Sequence, residues 1–254
     1  MALEMHFFQT FIDSERWLFE TRDSNRFHVA FREVSLYRSF LTIVRSRADV
    51  VGAEAERSHL ELSESLRGGA GAVSAESEVL MERVGDLNVN LRLEIESFHL
   101  FANILMDRSA AAIGFYFLGA PSRAWRSSAW LADRLAELAA QDRAVVPGAL
   151  VPALQALRQD LSNFRNEHIV HDENLRSVRG TGFRTGEGAR LTLVKLYPTG
   201  DELLPESRQP ESRPLADLER LIDDYLVAVT HLLGMNRERT AFQIDPSRGL
   251  AKTT

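Results

Sequence analysis

Apolar residues recur every three or four positions over several long stretches, and this period most constrains the fold. The first long row consists of Phe27, Ala30, Val34, Tyr37, Leu41 and Val44. The second consists of Leu80, Val84, Leu87, Leu91, Ile95, Phe98 and Phe101 or Ala102, and the last of Leu215, Leu218, Ile222, Tyr225, Val229 and Leu232. This spacing places apolar side chains on one face of an α-helix. The sequence therefore predicts a mostly α-helical bundle of long up-and-down helices.

Glycine and proline residues predict where the helices are interrupted. "GGAGA" at 68–72 separates the first two long rows, Gly119 and Pro121 end the second, and Gly234 ends the last. A further helix fits 122–143, with Ser122 as its N-cap, and "VPGALVP" opens another. The three tryptophans fall within helical segments, and we expect them in the core: Trp17, Trp125 and Trp130.

One region has the pattern of β-structure. "RSVRGTGFRT" and "ARLTLVKLYP" flank "GEG", which predicts a small hairpin at about 176–198, inserted before the last helix. The predicted organisation is therefore a set of N-terminal helices at 1–67 packing on a helical domain at 74–235. A loose C-terminal tail is expected at 236–254.

Composition excludes several functional classes. The 254 residues include no cysteine, which excludes disulfides, thiolate metal sites and a cysteine nucleophile. The net charge of −6 argues against a protein that coats nucleic acid generally. The start of the chain lacks the pattern of a signal peptide, and the apolar run at 110–120 is too short to span a bilayer. We therefore expect a cytoplasmic protein without membrane contact.

The segment "FRNEHIVHDEN" at 164–174 is the strongest candidate site. The preceding helix carries an apolar row at Leu154, Leu157, Leu161 and Phe164. Continuing the same step reaches His168 and then His171, while Arg165 lies in the adjoining row. Histidines in such a row can form a site, or they can pack near a helix end with their ring nitrogens bonded to backbone carbonyls. The periodicity alone leaves both interpretations open.

The same segment resembles the signature of the HEPN superfamily (higher eukaryotes and prokaryotes nucleotide-binding). In that signature an arginine is followed by a polar residue and, after four to six intervening residues, by a histidine. The matching residues here are Arg165, Asn166 and His171, with Ile169 and Val170 as the aliphatic residues before the histidine. Members of the family are helical domains with the motif near the end of a long helix and another helix after it.

The resemblance implies a metal-independent endoribonuclease without a cofactor, in a bacterial defence or toxin–antitoxin setting. Such proteins work as homodimers whose two motifs meet, and an antitoxin or another defence protein is a possible partner. His171 is then the acid/base and Arg165 stabilises the phosphate, with Asn166 as the third site residue. Neighbouring His168 and Glu167 are supporting candidates. Other family members have the fold without nuclease activity, so a non-catalytic module that binds protein or nucleotide is the alternative.

Three other interpretations compete with this one. His168 and His171 are three residues apart on a helix, and Asp172 and Glu173 follow, so two ligands could converge on a metal ion. The spacing differs from known zinc motifs, and the sequence places no third ligand. The hairpin has a local excess of positive charge, which is either a solvated surface or an RNA-backbone contact through Arg176, Arg179 and Arg184. A purely structural helical bundle remains the third.

Overall fold

The computed structural model describes residues 2–15, 26–67, 74–119, 122–164, 178–184, 190–196 and 215–242. The α-helices in these ranges are α1 (Ala2–Glu15), α2 (Arg26–Arg67), α3 (Ala75–Leu118), α4 (Leu131–Ala140), α5 (Leu150–Phe164) and α6 (Leu215–Met235). The prediction of a mostly α-helical bundle is confirmed. Across the described ranges, every helix is too short or too polar to cross a membrane.

The chain divides into two compact units. Unit 1 contains Met1–Leu41, Leu100–Leu161 and Asp217–Thr254, and unit 2 contains Thr42–His99 and Ser162–Ala216. Helices α2 and α3, with 42 and 44 residues, each contribute to both units. The division into 1–67, 74–235 and 236–254 stays a prediction.

In unit 1, α6 is buried on more than one face. The predicted apolar row of this helix is buried from Leu215 to Leu232. One further row is also buried, because Leu226 and Leu233 are as enclosed as the predicted residues, and so are the charged Glu219 and Asp223. At the end of the helix, the Tyr116 hydroxyl of α3 donates a hydrogen bond to the Leu233 carbonyl at 3.0 Å. The opposite face of the helix is exposed at Arg220, Asp224 and His231, so α6 packs through two adjoining rows.

Asn236, the first residue after α6, is buried, whereas Arg237, Glu238, Arg239 and Ala241 are exposed. The loose tail at 236–254 stays a prediction. The Asn236 side chain donates to the carbonyls of Val145 and Leu232 at 2.8 and 2.7 Å, and it accepts from the Val145 amide at 2.7 Å. Arg237 forms an ion pair with the buried Glu15 of α1. The hydrogen bond between Arg237 and Glu15 raises the pKa of Arg237, and it outweighs desolvation by burial, which lowers the pKa. Asn236 and Arg237 are held by polar contacts, and the spacing of apolar residues in the sequence does not reveal such contacts.

The predicted helix at 122–143 is interrupted, and the interruption affects the exposure of Trp130. Two 3₁₀ turns, Arg123–Trp125 and Ser128–Trp130, precede α4. Ser122 makes no side-chain cap, whereas Ser127 accepts from the Ala129 amide at 3.2 Å. Trp125 is buried as predicted, but Trp130 is 59% exposed. The expectation that Trp130 lies in the core is therefore wrong, because the turns direct it outward.

Gly114 provides the space that Trp125 occupies. A Cβ atom at this position would lie 2.4 Å from Cγ of Trp125, well inside van der Waals contact. We expect Gly114→Ala to lower the free energy of unfolding by about 1–3 kcal/mol, since the indole ring must move. Urea denaturation measures this change.

Gly85→Ala in the same helix is the matched control. A Cβ atom there meets nothing within 4 Å, so alanine is expected to be neutral or to stabilise by about 0.5–1 kcal/mol through its higher helix propensity. Equal destabilisation by both substitutions would contradict the account of Gly114.

In unit 2, segments of α2 and α3 run antiparallel. Leu62 and Val84 form a buried apolar cluster with Leu66, Leu80 and Met81 around them. The hydroxyls of Ser65 and Ser77 lie 2.6 Å apart, and Arg83 donates to Glu54 at 2.8 Å. The strands of unit 2 are β1 (Val178–Arg184) and β2 (Arg190–Leu196), which pair antiparallel. The insertion of a hairpin into the bundle stays a prediction.

Candidate functional site

The apolar row of α5 leads directly to the HEPN-like segment. Leu154, Leu157, Leu161 and Phe164 are all buried, as their spacing predicts. The row is therefore confirmed as the buried face of α5 up to its last described residue. Whether His168 and His171 continue it stays a prediction.

The remaining predicted residues of this segment lie outside the described residues. They are Arg165, Asn166, Glu167, His168 and His171, and Arg176 of the predicted hairpin also lies there. Asp172 and Glu173, the other proposed metal ligands, also lie there. Within the described ranges, no group of three or more histidine or acidic residues could hold a metal ion.

Phe164, the residue immediately before Arg165, is fixed by a ring stack in unit 2. Its ring lies on the His99 imidazole, with a centroid separation of 3.5 Å and an interplanar angle of 10°. His99 is buried, and its Nδ1 lies 2.8 Å from the Ile95 carbonyl oxygen. Because a carbonyl only accepts, Nδ1 carries the proton in this bond. The described chain therefore fixes the residue that precedes the motif, and the sequence gives no indication of His99 as its partner.

The strand register of unit 2 places like charges opposite each other. Arg179 is opposite Lys195, and Arg184 is opposite Arg190. Contact of Arg179 and Arg184 with an RNA backbone stays a prediction.

Unit 1 contains a buried ion cluster that the sequence does not predict. Arg38 donates to both carboxylate oxygens of Asp223, at 2.6 and 2.8 Å, and its Nη1 lies 3.0 Å from Oε1 of Glu219. All three residues are at most 4% exposed. Burial lowers the pKa of Arg38, but the hydrogen bonds and charges of the two acids outweigh it and raise the pKa. A guanidinium held this way remains charged.

A sequence signal for this cluster exists but is weak. The buried row of α2 contains Phe31, Val34, Arg38 and Leu41, whereas the predicted row contains Tyr37, which is only half-buried. Arg38 is thus a charged residue at the spacing of the apolar row. A cation at such a position indicates a buried acidic partner, although the sequence does not identify which acid.

Comparison of the chain with protein-family models, with curated proteins and with solved structures gave no match. The HEPN resemblance therefore rests on the residues of the motif and on the helical architecture.

Proposed function

We propose that the chain is a metal-independent endoribonuclease of HEPN type. One observation carries the proposal: the buried row of α5 reaches Phe164, its last described residue, and in the sequence Arg165, Asn166 and His171 follow in the order and spacing of the family motif. The fold class supports it, since a long helix precedes the motif and α6 follows it. The enzyme acts in the cytoplasm as a bacterial defence or toxin–antitoxin effector, with an antitoxin or another defence protein as a partner.

The chemistry requires few groups. RNA supplies the nucleophile, because its 2′-hydroxyl attacks the adjacent phosphorus while the 5′-oxygen leaves with a proton. His171 moves the proton, since histidine titrates near neutral pH. Arg165 holds two phosphate oxygens and stabilises the charge that develops on them. Asn166 orients the backbone or the ligand by hydrogen bonds, and His168 and Glu167 are supporting neighbours.

The strand pair offers contacts for the RNA backbone. Arg179 and Arg184 lie in β1, and an arginine can hold the phosphates of an RNA backbone. Arg176 precedes β1 and extends this basic stretch in the sequence. Such contacts hold RNA without reading its bases, which suits a nuclease in a protein of net charge −6.

A homodimer supplies the second histidine that general acid–base cleavage uses. On α2, four exposed apolar residues follow each other at intervals of seven: Val29, Leu36, Ile43 and Val50. They are 40–66% exposed, and a repeat of seven is typical of a helix that packs along another helix. A second copy of the chain is the occupant that this row supports.

The alternative is a non-catalytic HEPN-like module that binds a protein or a nucleotide. The burial of every described residue in the α5 row favours it, because histidines that continue such a row can be packed in the core. The His99–Phe164 stack fits both functions, since it anchors the helix in either case.

The deciding experiment incubates labelled RNAs of varied sequence with the purified protein in excess EDTA. We expect cleavage that leaves 2′,3′-cyclic phosphate ends and is lost in His171→Ala and Arg165→Ala proteins that still fold. Sedimentation of the active protein should give the mass of a dimer. An absence of cleavage by the wild-type protein across all RNAs would overturn the enzymatic function and favour the binding module.

A further inference from the structure

The two 3₁₀ turns before α4 and the first turns of α4 form a groove of about 570 Å³ in unit 1. Its lining includes Arg123, Arg126, Trp130 and Arg134. A volume of several hundred cubic ångströms matches small-molecule sites, which are mostly between about 300 and 1,000 Å³. The groove thus combines an aromatic ring with guanidinium groups in a space large enough for a nucleotide.

The backbone beneath the groove is fixed from both sides. Asp107 of α3 accepts from the amide and the hydroxyl of Ser128, at 2.8 and 2.9 Å. Arg158 of α5 donates to the Ala129 carbonyl at 3.1 Å. Trp125, buried against Gly114, anchors the first turn. Trp130 is therefore presented by a rigid segment, so a ligand would not have to order this loop when it binds.

Two of the arginines are exposed in the groove. Arg123 and Arg126 make no side-chain hydrogen bond or ion pair with the described part of the chain. Arg134 differs, because its Nη1 pairs with both oxygens of Glu137 at 2.9 and 2.7 Å. Two exposed cations beside an exposed indole are notable in a protein with net charge −6. The indole supplies a face for stacking, and each guanidinium can hold two phosphate oxygens.

We propose that this groove binds a nucleotide unit, with its base stacked on Trp130 and its phosphate held by Arg126 and Arg123. Base stacking on an aromatic side chain tolerates any base, whereas the arginines require the phosphate. The nucleotide is either free or part of a single strand, and both sources present the same chemistry. The inference goes beyond the proposed cleavage and does not depend on it, because none of the groove residues belongs to the HEPN-like motif.

The test uses full-length protein carrying His171→Ala, so that binding is measured without cleavage. Four probes are titrated: a labelled single-stranded oligonucleotide, a blunt duplex of the same sequence, mononucleotides and inorganic phosphate. We expect the single strand or the mononucleotides to bind and to quench tryptophan emission. Tight binding of mononucleotides would identify a free-nucleotide site, and binding of the single strand alone would identify a strand site. Either result supports the proposal.

Three substitutions locate the binding. Trp130→Ala is expected to weaken binding roughly 5- to 150-fold, the range for loss of one base stack, and to abolish the quenching. Trp130→Phe should retain part of the affinity, and Arg126→Ala should weaken binding and reduce its salt dependence. Arg143→Ala, an exposed arginine of the same unit outside the groove lining, is the matched control and should leave binding unchanged.

Two outcomes would overturn the proposal. One is that no probe binds. The other is that binding does not depend on a stacked base: it persists unchanged in Trp130→Ala, or the duplex or phosphate alone binds as tightly as the single strand and the mononucleotides. Because all measurements use the His171→Ala background, inactivity of the wild-type protein on RNA has no bearing on them.

Discussion

Replacing Arg38 by alanine is expected to lower the free energy of unfolding by about 3–5 kcal/mol, because Asp223 and Glu219 then remain buried without their cation. The two acids are 3% and 4% exposed, so water cannot replace the hydrogen bonds that Arg38 donates at 2.6 and 2.8 Å. Oε2 of Glu219 already lacks a hydrogen-bond partner among the described residues, which increases the cost. Denaturant unfolding followed by circular dichroism measures the change.

The matched control is Arg108→Ala in the same unit. Arg108 lies 3.9 Å from Glu33, and both side chains are about half-exposed, so its loss should cost under about 1 kcal/mol. Removing the whole cluster, with Arg38→Met, Glu219→Leu and Asp223→Leu together, should recover most of the stability lost in Arg38→Ala. A single Arg38→Ala protein as stable as Arg108→Ala would show that the cluster does not hold the unit together.

The contribution of Arg38 to stability should not change with pH near neutrality. Although burial lowers its pKa, the two acids raise it above the ordinary value for arginine. Stability from a raised pKa is fully present below the unfolded value and is lost only as pH rises through the folded one. The destabilisation caused by Arg38→Ala should therefore be the same throughout about pH 6 to 9, because Arg38 keeps its proton in this range in both the folded and the unfolded protein.

Helix periodicity predicted the apolar rows because burial on a helix repeats every three to four residues. The rows of α5 and α6 are buried as predicted, and so is the row of α3 from Val84 to Ala102. The predictions failed where polar bonds override the period. Asp107 and Ser128 interrupt the expected helix at 122–143, and Arg38 occupies the row that the sequence assigns to Tyr37. Such partners are distant in the chain, and no local pattern pairs them.

The sequence predicts a candidate site when its residues are close in the chain, and it does not predict a site whose residues meet only in the fold. A short motif can be found from sequence because its residues lie close together, as Arg165 and His171 do. The groove at Trp130 could not be found, since its exposed ring results from two turns that the helical pattern conceals. The sequence also does not predict that His99 contacts the residue before the motif, because its stack on Phe164 joins residues 65 positions apart. Spatial neighbours of this kind require the tertiary fold.

Replacing His171 by alanine is expected to lower kcat/KM for RNA cleavage by about 10²–10⁴-fold, the usual contribution of a general acid or base. Arg165→Lys should retain more activity than Arg165→Ala, because lysine keeps the charge but cannot hold two phosphate oxygens in the same fixed geometry. His168→Ala should have the smaller effect of a supporting neighbour. Initial rates on a labelled RNA in excess EDTA measure each value.

A pH profile separates catalysis from a structural role of His171. Acid–base cleavage gives a bell-shaped profile. Because His171→Ala removes the histidine from both subunits of a homodimer, both limbs of the profile should flatten, whereas simple destabilisation lowers the whole curve without changing its shape. His231→Ala, which removes an exposed histidine of α6, is the matched control and should keep both the rate and the profile. If the His171→Ala protein melts at the wild-type temperature and cleaves at the wild-type rate, His171 is not the acid/base.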